Sequence, residues 1–147
     1  MRIAHNGFVV VADGRKMLFF RNEGDATNPN LIVERKDVQD NLADRDQGTD
    51  APGRAFASNG SGRNAYSETD FHQLEEDRFA ADVAELLKKR ALTGDYEELI
   101  VVAPPKTLGE LRKHYHKEVE RRLTGELAKD LTGHPVEEIE KLLAAAD

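Results

Sequence analysis

The run ELIVVAPP, residues 98–105, constrains the fold more than any other part of the chain. From Leu99 to Ala103 every position is apolar, and Ile100, Val101 and Val102 are β-branched. A half-buried strand alternates polar and apolar residues. A short unbroken apolar run reads as a strand buried on both faces, as in a parallel sheet with helices above and below. Pro104 and Pro105 stop it. The rest of the chain must therefore supply neighbouring strands and two covering layers.

The neighbours come from the N-terminal third. GFVVVADGRKMLFFRN, residues 7–22, pairs Val9, Val10 and Val11 with a second apolar run, Leu18, Phe19 and Phe20. Asp13-Gly14 between them predicts a type I′ hairpin turn, whose central residues need positive φ. Asn28-Pro29-Asn30 is turn chemistry, and LIVERKDV at 31–38 predicts a third strand. Together these form an antiparallel meander.

Helices follow. Ser67-Glu68-Thr69-Asp70 offers a capping box. Phe71, Leu74, Phe79, Val83, Leu86 and Leu87 continue at helical spacing towards Thr93-Gly94, with Lys88, Lys89 and Arg90 in the last turns, where cations suit the helix dipole. TLGELRKHYHKEVERRL predicts a second helix, capped by Thr107 and Glu110. Residues 123–128 read as a short strand, and PVEEIEKLLAA as a final amphipathic helix with Pro135 in its first turn. The expected fold is a single α/β domain: a mixed β-sheet with an antiparallel N-terminal meander and flanking helices, in a ribonuclease H-like layout. Residues 38–66 show neither period and are rich in Asp, Gly, Asn and Ser. They predict a long flexible loop, of the kind that is usually functional or disordered.

Composition narrows the chemistry. With 147 residues the chain is the size of one domain, and 33% charged residues beside 39% hydrophobic ones fit a soluble protein with a polar insert. The absence of cysteine excludes disulfides, a thiol nucleophile and thiolate zinc sites. No run has signal-peptide or membrane-spanning length, so a cytoplasmic location is expected. The net charge of −7 disfavours broad nucleic-acid binding. The charge is uneven, however: residues 37–50 carry five Asp against one Arg, while residues 106–122 carry six Lys or Arg against three Glu.

No catalytic set is complete. Asp44, Asp46 and Asp50 sit near Gly48, but a calcium loop beginning at Asp44 would place Gly48 where an acid or amide belongs. Metal-dependent nuclease chemistry needs several converging carboxylates. Asp13 is the best first-strand candidate, yet a hairpin turn accounts for it, and no acid lies within Ile100–Ala103. His114 and His116 face different ways on a helix, and His72 with Glu75 or Glu76 lacks a third ligand. Gly60-Ser61-Gly62 is not a nucleophile elbow. No metal and no cofactor is expected. Phosphate is the more promising ligand. Gly60 and Gly62 allow exposed backbone amides just before a helix, and Arg54 and Arg63 can fork onto phosphate oxygens. GRAFASNGSGRNAY, residues 53–66, thus reads either as a flexible connection or as a binding loop. Lys106, Arg112, Lys113, Arg121 and Arg122 form a candidate basic face.

The ordered strings VVVADGRKMLFF, DAPGRAFAS, GSGRNAY, TDFHQLEEDRFAADVAELL, LIVVAPPKTLGELR and ELAKDLTGHP resemble the bacterial host attachment protein family over nearly the whole chain. That resemblance implies a protein required for bacterial attachment to host cells, with no established enzyme activity or catalytic residues. With no export signal in view, the effect on attachment is expected to be indirect, through an adaptor or regulatory role and a protein partner. The family is in turn similar to the middle domain of eukaryotic and archaeal class-1 peptide release factors. This implies the ribonuclease H-like fold and a partner that is the ribosome or RNA. In release factors a loop of comparable position carries Gly-Gly-Gln. The corresponding stretch here reads Gly60-Ser61-Gly62-Arg63, and no Gln occurs from 48 to 72. The expectation is a non-enzymatic protein.

Overall fold

The computed structural model of the chain describes residues 1–38 and 64–146. Five strands form one sheet in the order β3-β2-β1-β4-β5. They are β1 (Phe8–Ala12), β2 (Lys16–Asn22), β3 (Leu31–Val38), β4 (Leu99–Val102) and β5 (Leu123–Leu127). The meander β1-β2-β3 is antiparallel, with Val10 opposite Phe19. β4 runs parallel to β1, Val9 beside Ile100, and β5 runs parallel to β4. The mixed α/β sheet expected from the sequence is therefore present, in a ribonuclease H-like arrangement.

β1 and β4 are buried at every position, and the covering layers explain why. On one face Phe8, Val10, Ala12, Leu99 and Val101 pack against three helices: α1 (Asn64–Leu92), α2 (Pro105–Arg112) and α3 (Lys117–Arg122). On the other face Val9, Val11, Ile100 and Val102 pack against Ile139 and Leu143 of α4 (Val136–Ala145). Residues of period 2 feed two cores, so neither set can be polar.

Local chemistry departs from the sequence expectations at four places. The β1–β2 turn is not type I′, because neither Asp13 nor Gly14, nor Arg15 after them, has positive φ. Asp13 Oδ1 accepts hydrogen bonds from the amides of Arg15 and Lys16 at 2.7 and 2.8 Å. The carboxylate stands in for a backbone carbonyl and removes the need for a left-handed turn.

α1 begins at Asn64, so Ser67–Asp70 lie inside the helix and do not cap it, and residues 64–66 belong to the helix and not to the preceding loop. Ser and Thr cost a helix interior only a few tenths of a kcal/mol, about 0.5 each. A helix anchored by the core from Phe79 onward carries them easily.

The predicted helix from Thr107 breaks in two. α2 has Pro104 at its cap and Pro105 in its first turn, with no side-chain cap. His116 is extended, and its Nδ1 accepts from the Glu118 amide at 3.0 Å, starting α3. Topology demands the break. β5 aligns Leu123 with Leu99, so the chain must return along a strand of four residues, about 13 Å. A straight helix from 107 to 123 would span about 25 Å and overshoot. Finally, Pro135 is the N-cap of α4 and not part of its first turn.

The long loop read over 38–66 falls largely outside the described residues. α1 ends as read: Gly94 has φ +75°, its amide bonds to Ala91 O, and the Asp95 amide bonds to Arg90 O. This paired closure is the Schellman arrangement, and it needs a residue that tolerates positive φ.

Candidate functional site

In open α/β sheets ligands bind beyond the carboxyl ends of the parallel strands. Here that end is polar. Asp13 follows β1, and its Oδ2 lies 2.9 Å from the Thr132 hydroxyl. The same hydroxyl is 2.7 Å from Asp130 Oδ1. The Lys16 ammonium approaches Thr132 O at 3.4 Å. Asp13 is thus engaged through both oxygens, one holding the turn and one tying β1 to the segment before α4. Among the described residues no group of three or more His, Asp or Glu is placed to hold a metal ion.

Beside this network, α1 and α2 diverge around an open cleft of about 440 Å³. Gln73, Glu76 and Asp77 line one wall, and Lys106, Thr107 and Glu110 line the other. Gly14 closes against it: a Cβ there would sit 2.8 Å from Glu76 Cδ. Gln73 donates to Asp77 at 2.9 Å. Sequence reasoning missed this wall. The signal was a phase: Gln73, Asp77, Ala80, Ala84, Leu87 and Ala91 recur at alternating spacings of four and three, the spacing of one helix face. The last four are buried, so polar residues at the first two positions mark where the core gives way to a cleft.

The structure scatters the predicted basic face. Lys106 borders the cleft and is exposed, with no carboxylate at ion-pair distance among the described residues. Arg112 pairs with Glu126 of β5 at 2.6 Å. Lys113 pairs with Glu110 at 3.1 Å and Arg121 with Glu118 at 3.3 Å. Arg122 differs in kind. Its side chain is only 13% exposed, and it donates to Tyr96 O at 2.9 Å and to Glu118 at 2.7 Å. It clamps α3 to the strand entry. Arg54, Gly60, Gly62 and Arg63 lie outside the described residues, as do Asp44, Asp46 and Asp50.

Electrostatics follow these pairs. The hydrogen bond from Lys113 holds the Glu110 carboxyl below its ordinary range. The Arg122 hydrogen bond does the same for Glu118, and Glu126 holds Arg112 more firmly protonated. Burial raises the Tyr115 phenol, whose hydroxyl approaches Glu126 at 3.5 Å. Arg112, Lys113, Arg121 and Arg122 each have a carboxylate counterpart, so most of the local excess of Lys and Arg is neutralised, while Lys106 and Lys117 are exposed with no ion pair among the described residues.

Among the described residues no helix is long and apolar enough to cross a membrane. Residues 6–143 match the family model described as bacterial archaeo-eukaryotic release factor family 12. An uncharacterized protein of Rickettsia prowazekii (strain Madrid E), RP470, is 34% identical over 79 residues, 52% of this chain and 53% of that protein. The chain therefore spans about half the length of the curated relative it matches. The family match carries the release-factor side of the sequence resemblance, and the host-attachment side has no counterpart in it.

Proposed function

The chain belongs to bacterial archaeo-eukaryotic release factor family 12, and from that membership we propose that it binds the ribosome or RNA without hydrolysing an ester. Membership over 6–143 is the observation that carries this reading. The segment joining β3 to α1 holds Arg54, Gly60, Gly62 and Arg63, residues suited to a phosphate backbone. Its Gly60-Ser61-Gly62-Arg63 stretch has no glutamine where the release factors that the chain resembles carry Gly-Gly-Gln, and the segment's glutamines, Gln39 and Gln47, lie well before it. Lys106 at the cleft and the outward parts of Lys113 and Arg121 add weaker phosphate contacts. Arg122 is a structural clamp in this scheme. The role in attachment to host cells that the ordered motifs imply then follows indirectly, from altered translation or regulation.

The test is co-sedimentation with ribosomes. The chain should pellet with them at low salt, and binding should fall as salt rises, because each phosphate contact releases counterions. Arg54→Ala with Arg63→Ala should reduce the bound fraction by about tenfold and leave the circular dichroism spectrum unchanged. Failure to pellet at low salt removes this reading. Release of peptide from a peptidyl-tRNA substrate, lost on a single substitution, would overturn its non-enzymatic part.

A further inference from the structure

One residue of the cleft between α1 and α2 has no role in the fold. Gly109 lines the cleft and lies inside the helix Pro105–Arg112. A glycine within a helix is destabilising relative to alanine, because it loses more backbone freedom on folding. Folds keep such a glycine where φ must be positive or where a Cβ would collide. Neither holds at Gly109. Its φ is not positive, and a Cβ built on it meets nothing within 4 Å. Gly109 therefore borders the cleft with bare backbone, which lets a ligand approach α2 closely.

The charges around it define the ligand. Glu110 and Lys113 satisfy each other at 3.1 Å. Glu76 and Asp77 on α1, and Lys106 on α2, line the same cleft, and none of the three has an ion-pair partner among the described residues. Asp77 accepts a hydrogen bond from the neutral Gln73 amide at 2.9 Å. Opposite charges thus stand on opposite walls, farther apart than ion-pair distance. A simple anion here meets two carboxylates, and a simple cation meets an ammonium. A molecule that carries both charges satisfies both walls at once. The volume of about 440 Å³ falls within the roughly 300–1,000 Å³ of small-molecule sites.

We propose that this cleft binds a small zwitterion, an amino acid or short peptide with free termini. Its ammonium lies against Glu76 and Asp77, its carboxylate against Lys106 and the Thr107 hydroxyl, and its middle against Gly109. The site does not rest on ribosome binding, and its test contains no RNA.

The probes are alanine, dialanine and trialanine, each titrated into the full chain and followed by amide chemical shifts. Their lengths measure the gap between the charged walls. At least one should bind saturably, with shifts concentrated at 73–77 and 106–110. Acetylating the amino end of that probe, or amidating its carboxyl end, should weaken binding about tenfold, since each removes a charge-assisted contact. Glu76→Gln with Asp77→Asn should erase the discrimination against the acetylated probe. Lys106→Met should erase the discrimination against the amidated one. Gly109→Leu fills the open space and should abolish binding, with thermal melting unchanged or raised, because leucine is the better helix former. No saturable shift with any probe at millimolar concentration overturns the proposal. Binding that survives Gly109→Leu, or that is equally tight for a probe blocked at both ends, also overturns it. Saturable binding of inorganic phosphate in place of the peptides would assign the cleft to phosphate instead.

Discussion

The two halves of α1 differ in what their inward face carries. From Phe79 to Ala91 that face is Phe79, Ala80, Val83, Ala84, Leu87 and Ala91, all buried against the sheet. Further contacts lock this half. The Tyr96 hydroxyl donates to Leu87 O at 2.8 Å. The Arg90 guanidinium lies 5.4 and 5.1 Å from the ring centres of Phe8 and Phe19, and pairs with Glu34 and Asp95. From Gln73 to Asp77 the same face is polar and borders a cleft. One helix therefore serves as core at one end and as a surface at the other. Three small alanines allow close approach at the packed end, and charge keeps the other end open.

The largest expected effect is at the packed end. Leu87→Ala leaves a cavity beneath a side chain that is 0% exposed and should cost about 3 kcal/mol, measured by urea unfolding. A loss near zero would mean that α1 does not close the core. Arg90→Ala removes contact with two rings and two carboxylates and should cost about 1–2 kcal/mol. Salt should recover little of this, because the ring contacts persist in salt.

Tyr96→Phe deletes the bond to Leu87 O and should cost about 1 kcal/mol. The same residue sets a pH limit. Burial raises its phenol from 10.0 to about 12, so the folded state holds the proton more tightly than the unfolded one. Its contribution is whole below pH 10 and is lost as pH rises towards about 12. Melts of wild type and Tyr96→Phe across that window should converge.

The smallest effect is at the open end. Asp77→Ala, and Phe71→Ala with Leu74→Ala, should each change stability by less than about 0.5 kcal/mol. A larger loss at Asp77 would show that the cleft wall is structural, and would erase the contrast between the halves.

Much of this fold is legible in the chain. The unbroken apolar run at 99–103 dictated a doubly covered strand, because no polar side chain could face either layer. The hairpin, the third strand and the Thr93-Gly94 helix end follow from residue chemistry alone. The inward face of α1 was only half legible. Ala80, Ala84 and Ala91 are buried but too small to mark a period, whereas Phe71 and Leu74 mark one and stay outside. The split between α2 and α3 was not legible either: Leu108, Leu111, Tyr115 and Val119 fit one continuous helix.

What the sequence determined by itself is what each side chain can tolerate: burial for the valines of β1, a turn at Asp13, positive φ at Gly94. What only the tertiary structure decided is where the geometry of the whole overrides local preference. β5 must begin level with Leu99, so the crossover helix breaks at His116. α1 outruns its core, so its apolar outer residues meet solvent. Arg112 finds a carboxylate on β5, and Lys113, Arg121 and Arg122 find theirs one turn away in sequence, so a basic stretch of sequence is only in part a basic surface. Periodicity reports a residue's own preference, and contact depends on what the rest of the chain brings opposite it.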